Sequence, residues 1–189
     1  MTKAELRKAY KQLRKHLSEE QIETLSLQIA NQLLALPIWD RDFYHLFLSI
    51  TEHNEINTDY ILNILSGKDK NIVISKSNFS TLEMSHYLLT DNTKIKKNEW
   101  NIPEPVDGIP INSSLIDVVF IPLLAFDNTG HRVGYGKGFY DAFLATCKPE
   151  TLKIGLSFFQ SSEQEISDIY DTDVKLDYCI TPNKIYTFL

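Results

Sequence analysis

The segment from Ile116 to Leu144, IDVVFIPLLAFDNTGHRVGYGKGFYDAFL, restricts the possible folds more than any other. An apolar run of strand length ends in Pro122, and a polar turn follows at Asp127 to Gly130. Three alternating glycines, Gly134, Gly136 and Gly138, then lead into an amphipathic segment that opens with Tyr140 and Asp141. Glycines let backbone N–H groups turn toward a ligand with no Cβ in the way, and a helix N-terminus beyond them attracts anions. Arg132 and Lys137 add positive charge, and Asp141 is a hard oxygen ligand of the kind Mg²⁺ prefers. A nucleotide with its metal fits this order of residues. On its own the pattern is weakly specific, because glycines also serve turns and bulges and an acid near a helix start also suits the macrodipole. It is not the GxxxxGK[ST] loop, since Lys137 is followed by Gly138 and Phe139, and it lacks the third spacing of the dinucleotide fingerprint.

The rest of the chain reads as alternating α and β. Leu6, Ala9, Tyr10, Leu13 and Leu17 recur at helical steps, giving a helix from Thr2 to His16. Ser18 and Gln21 form a capping-box pattern for a second helix, through Leu36 and stopped by Pro37. Lys3 and Arg7, four apart, project from one side of the first helix; by themselves they also fit a solvated basic face. Phe43 to Ile50 (FYHLFLSI) suits a strand buried on both faces. A helix capped by Asn57 or Thr58 runs through Leu65 to Gly67, and Asn71 to Ser75 is a second strand. Strand, helix and strand in that order require a parallel sheet, whose ligands gather at loops beyond the strands' carboxyl ends. Glu55 lies on such a loop, although by itself it reads as a surface acid.

Further along, Leu82 to Leu89 and Lys94 to Lys97 suit a meander or hairpin. The prolines of Trp100 to Pro110 impose an extended, ordered loop in which Trp100 serves core packing or acts as a platform. Leu115 to Ile121 is the most strand-like run and is expected at the centre of the sheet. A helix from Phe139 to Cys147, a strand at Leu152 to Phe158, an acidic turn bearing Asp173 and Asp177, and a last strand at Tyr178 to Thr181 complete the order. One α/β domain with a mainly parallel sheet sandwiched by helices is expected over residues 1–189.

Composition bounds the function. At 189 residues with 43% hydrophobic and 23% charged, the chain is long enough for one proper core. A formal charge of -6 argues against nucleic acid as the main partner, while leaving room for a local basic cradle. Cys147 and Cys179 lack metal-type spacing and fit small buried residues in a reducing compartment. The N-terminus is polar without the apolar core of a leader, and no stretch approaches the ~20 apolar residues of a membrane span. A cytoplasmic protein with no membrane or nucleic-acid partner is expected. The histidines form no HxxxH or HExxH, and no Ser or Cys pairs with a base in a nucleophile motif.

Taken together, the ordered residues carry a resemblance. Phe120-Ile-Pro122, Ala125-Phe-Asp127 and Gly130-His-Arg132-Val-Gly134-Tyr-Gly136-Lys-Gly138-Phe-Tyr140-Asp141 stand with Lys3-x-x-Leu6-Arg7 and Phe47-Leu48-Ser49 ahead of Glu55-Ile56. Trp100-Asn-Ile-Pro103-Glu-Pro105 and Asp173-x-x-x-Asp177 before Ile180-Thr181-Pro182 complete the set. It resembles the signature of the 5-formyltetrahydrofolate cyclo-ligases, also called 5,10-methenyltetrahydrofolate synthetases, and spans nearly the whole chain in the family's order.

The resemblance implies a sugar-isomerase and CoA-transferase-like fold and ATP-dependent conversion of 5-formyltetrahydrofolate to 5,10-methenyltetrahydrofolate, with ADP and phosphate as products. It implies that Lys3 and Arg7 reach the ATP phosphates and that Arg132, Val133, Gly134, Tyr135, Gly136, Lys137, Gly138, Phe139 and Tyr140 enclose the nucleotide. Arg132, Lys137 and Tyr140 would serve the phosphoryl transfer, and Asp141 and Asp173 would hold Mg²⁺. Glu55, Leu48, Trp100 and Tyr140 would bind the folate, in a protein acting as a monomer on two small molecules. Two departures stand out: Tyr135 lies where many relatives have Arg or a small residue, and Phe139 lies where a Tyr is common. The loop before Glu55 is also a residue longer, with His53 and Asn54. Rival readings keep the fold with ATP-independent isomerase chemistry, or keep the folate site as a sequestering module without turnover.

Overall fold

The computed structural model describes residues 1–189. Helix α1 (Lys3–Lys15) starts at Thr2 and helix α2 (Glu19–Leu33) at Ser18, each through a complete capping box, with Glu5 and Gln21 bonding back. These side chains satisfy N–H groups the helices cannot satisfy themselves. Helix α2 stops three residues short of Leu36, and a turn leads to Pro37. Strand β1 (Phe43–His45), helix α3 (Asp59–Gly67) and strand β2 (Asn71–Asn78) form the expected parallel crossover. Strand β3 (Glu83–Leu88) returns as a hairpin, and β4 (Ile95–Lys97) with β5 (Pro103–Pro105) makes a separate ribbon. Then come β6 (Val118–Pro122), the small ribbon of β7 (Ala125–Phe126) and β8 (Arg132–Val133), and helix α4 (Phe139–Thr146). Strands β9 (Leu152–Leu156), β10 (Tyr178–Ile180) and β11 (Ile185–Thr187) complete the chain.

The seven-stranded sheet has the order β11-β10-β9-β6-β1-β2-β3, parallel through its middle and antiparallel at both edge pairs. Strand β6 is central, as its apolar run required. Its side chains alternate between two cores, as period-two geometry dictates. Val118 and Phe120 join α2 and α3 residues such as Leu33 and Leu65, whereas Val119 and Ile121 meet Phe143 and Leu144 of α4. Leu6 of α1 packs with Ala125 and Val133 of the ribbon, fixing the first helix over the segment after β6.

Three expectations need correction. Phe43 to Ile50 is laddered only as far as His45; Leu46, Phe47 and Ile50 are buried outside the sheet, because the chain bends there into a turn at Thr51–His53. Leu152 to Phe158 leaves the sheet after Leu156. Tyr178 to Thr181 is not the last strand, since β11 turns back beside it. No helix is long and apolar enough to cross a membrane, and both cysteines are free.

A polar chain lies inside the second core. His45 Nε2 and His86 Nδ1 each sit 2.7 Å from the Ser75 hydroxyl. Burial lowers the pKa of His45 to about 3, with His86 adding to the effect, and lowers that of His86 to about 4. Folded-state values below the unfolded ~6.5 mean that unfolded chains bind more protons as pH falls. Stability is therefore expected to be full above about pH 6.5 and to drop by a few kcal/mol toward pH 4. Denaturant midpoints across this range should show a slope that flattens in His45→Phe; an unchanged slope would assign the loss to other groups.

Candidate active site

The site sits over the carboxyl ends of β1 and β6. After β6 the chain enters the β7–β8 ribbon, whose turn is held by buried Asp127, accepting from the N–H groups of Thr129, His131 and Ile166. Residues 134–138 follow as an arch. None of the five backbone N–H groups from Gly134 through Gly138 is hydrogen-bonded within the protein. Gly136 has φ +92°, and a Cβ there would lie 3.0 Å from the Arg7 guanidinium carbon, so only glycine fits without strain. Gly138, φ +76°, is the N-cap of α4, which has no side-chain cap, so the helix N-terminus follows directly on the arch.

Positive charge surrounds these donors. Arg7 Nε donates to the Gly134 carbonyl at 2.9 Å. Lys3 pairs with Asp173 and lies 4.7 Å from the Tyr170 ring centre. Partial burial works to raise the Asp173 pKa, but the Lys3 ammonium and the Tyr170 N–H outweigh it and hold the carboxyl below its ordinary range. Arg132 donates to the Val174 carbonyl through Nη1 and to Asp141 Oδ1 through Nη2 at 2.8 Å, and Val174 N–H also donates to that oxygen at 3.0 Å. Lys137 is exposed at the crest of the arch. Arg7 thus lies against the glycines, and Lys3 and Arg132 both act on Asp173 beside them.

The two expected metal ligands are not clustered with a third such group. Their protein contacts fall on a single oxygen each, Asp141 Oδ1 and Asp173 Oδ2. The other oxygens have no protein partner, which fits Mg²⁺, an ion commonly held by one or two carboxylates with substrate phosphates and water.

A second cavity, of about 540 Å³, opens on the other side of Glu55, walled by Leu48, Ser49, Ile22, Ile95 and the acids Glu19, Glu23 and Asp59. Glu55 is not the surface acid it resembles in isolation, being only 5% exposed. The turn at Thr51–His53 and the left-handed Asn54, φ 48°, swing it inward, and Asn54 Nδ2 donates to the Arg14 carbonyl at 3.2 Å. Its Oε2 accepts from Ile50 N–H at 2.7 Å and its Oε1 from the Tyr135 hydroxyl at 2.7 Å. Burial raises its pKa, opposed by these two donors and by Arg14 and His53.

Trp100 is not a core residue. It is 47% exposed and does not line the Glu55 cavity; its ring lies 4.1 Å from Phe79, which in turn meets Phe139 at 5.0 Å. Phe139 therefore contributes a ring edge from the arch, where a hydroxyl would find the two other aromatics. Tyr140 is half-buried, edge-on to His45 at 5.9 Å, and burial raises its pKa so that it remains a neutral phenol. Val133 is buried against Leu6, so its side chain is not available to a nucleotide. Sequence reasoning missed Arg14 and Phe79. Arg14 looks like one more cation on a basic helix, and Phe79 lies at a hairpin tip with no periodic signal.

The model of the 5-formyltetrahydrofolate cyclo-ligase family matches residues 1–182. The 5-formyltetrahydrofolate cyclo-ligase of Mus musculus is 30% identical over 186 residues, covering 91% of this chain and 89% of the mouse protein. That of Escherichia coli is 26% identical over 183 residues, covering 93% and 98%. The solved structure of Aquifex aeolicus 5,10-methenyltetrahydrofolate synthetase superimposes with a TM-score of 0.84 at 29% identity, over 100% of this chain and 93% of its own. Sequence along nearly the full length and a shared fold thus converge on one group of enzymes, and the chain belongs to the 5-formyltetrahydrofolate cyclo-ligase family.

Proposed function

We propose that this enzyme cyclises 5-formyltetrahydrofolate to 5,10-methenyltetrahydrofolate at the expense of ATP. The observation that carries the ATP side is the run of five free backbone N–H groups beneath Arg7, Arg132 and Lys3, which suits a polyphosphate. The folate side rests on the acid-walled cavity at Glu55, whose carboxylate suits the adjacent N–H donors of a pterin. Leu48, which lines that cavity, and Trp100, which stands against Phe79 outside its lining, would add apolar and aromatic surface.

A formamide oxygen is a poor leaving group, so the weak N10 amine does not displace it unaided. In the proposed reaction the formyl oxygen attacks the γ-phosphorus as the bond to ADP breaks. The N5 lone pair moves into the C–N bond, giving an iminium phosphate. N10 then bonds to the formyl carbon, the C–O bond breaks to release phosphate, and N10 loses its proton. Such a transfer needs alignment and charge neutralisation more than covalent help. Arg132 would take charge developing on the transferred phosphoryl group, Lys137 would close over the phosphates, and Lys3 and Arg7 would fix the chain of phosphates. Neutral Tyr140 would lie between the two substrates as a hydrogen-bond donor. Bound Mg²⁺ would supply further neutralisation of phosphate charge, held by Asp141 and Asp173. A monomer suffices, since the arch and the cavity both belong to one chain, and the two free cysteines suit a cytoplasmic setting.

The test is purified protein with 5-formyltetrahydrofolate, ATP and Mg²⁺, followed by the near-ultraviolet absorbance of the methenyl product. The rise should require all three. Folate binding without any rise would favour a sequestering module, and sugar-phosphate isomerisation without ATP would favour isomerase chemistry.

A further inference from the structure

Tyr135 lies among the glycines of the arch, but its side chain reaches Arg14 of α1 and Glu55. The hydroxyl donates to Glu55 Oε1 at 2.7 Å and accepts from Arg14 Nη1 at 2.9 Å. Arg14 is 5% exposed, anchored by Nη2 to the Leu123 carbonyl at 2.7 Å, and its Nε is buried without a partner. It makes no contact ion pair with any carboxylate. Burying a guanidinium without a paired carboxylate is costly, and what this one achieves is to fix the direction of a phenol. With Ile50 N–H on Oε2 and the phenol on Oε1, each carboxylate oxygen keeps a second lone-pair site for a ligand.

We propose that Tyr135 and Arg14 are a positioning pair for Glu55, which they hold in one orientation at the cavity wall. The segment that cradles the nucleotide thereby also sets the group that receives the folate. This rests on the substrate assignment made above and assigns roles to two residues beyond it. The pair also bears on protonation. The groups facing Glu55 are Arg14 from α1, His53 from the turn, Tyr135 from the arch and Tyr140 from α4, with Glu19, Glu23 and Asp59 on the cavity walls. Removing the phenol O–H deletes a donor to the charged form while burial remains, so Glu55 holds its proton to higher pH and loses an acceptor for the ligand.

Tyr135→Phe keeps the ring and removes the donor. In this variant the Kd and KM for 5-formyltetrahydrofolate should rise about tenfold near pH 7, with kcat within about threefold of wild type. The acid-side midpoint of folate binding should move up by about one pH unit, and should do so equally in a His53→Gln background. Arg14→Gln, a second route should the first variant not fold, should shift the midpoint in the same direction by less. Wild-type affinity and midpoint in Tyr135→Phe would overturn the pair's role. So would loss of affinity and kcat together at an unmoved midpoint, which a structural defect alone produces. Failure of the wild-type protein to bind 5-formyltetrahydrofolate would instead overturn the substrate assignment, and the positioning role with it.

Discussion

Arg132→Ala is expected to lower kcat/KM for ATP by roughly 10³-fold, the scale of a guanidinium that meets charge developing on a transferred phosphoryl group. The side chain is only 7% exposed, and its planar fork is already committed to Asp141 and the Val174 carbonyl. Its geometry is therefore set before any ligand arrives, and preorganised donors act most strongly on a transition state. Arg132→Lys keeps the charge but loses the fork, so it should recover only part of the rate. Because the alanine variant leaves the Val174 carbonyl without its donor and Asp141 with only the Val174 N–H, thermal unfolding should be measured beside it, with an expected loss of about 2 kcal/mol. Folate affinity should stay within threefold, since the Glu55 cavity lies beyond the arch. Near wild-type turnover in Arg132→Ala would remove this residue from the phosphoryl-transfer machinery.

That site was partly legible in the sequence because its parts are local. The glycine spacing, Arg132 and Asp141 lie within a dozen residues, and glycines at positive φ are the kind of requirement a sequence displays directly. Capping boxes at Thr2 and Ser18 were equally local, and both helices start where they indicate. Apolar runs carried less information. Five of the eight residues of FYHLFLSI are buried, yet only three pair in the sheet, because burial selects hydrophobicity whether or not a ladder continues. Strand β11 was missed although Thr181-Pro-Asn-Lys184 offers a turn signal before it and Thr181 is bonded across that turn to Lys184. Arg14 was beyond reach for another reason: its partners Leu123 and Tyr135 stand more than 100 residues away, and long-range pairing leaves no mark on helical periodicity. The same holds for the Lys3–Asp173 pair, which joins opposite ends of the chain.

Asp141→Ala separates the two halves of the proposed site most cleanly. Asp141 lies in the first turn of α4 with Oδ1 bound by Arg132 and Val174 N–H, while its other oxygen has no protein partner. If that oxygen helps to hold Mg²⁺, turnover should fall by roughly 10² to 10³-fold and the Mg²⁺ concentration for half-maximal rate should rise. Folate binding in the absence of nucleotide should change by less than about threefold, because the loss of one donor–acceptor contact at Arg132 leaves the Glu55 wall intact. Asp141→Asn provides the control for packing: it preserves an oxygen for Arg132 and the shape of the helix start, but carries no charge for a divalent ion. Its stability should match wild type more closely than that of the alanine variant, while its Mg²⁺ requirement should be nearly as impaired. Equal losses of folate affinity and turnover in both variants would point to a purely structural bridge between α4 and the Val174 turn, and the metal would then have to be assigned elsewhere.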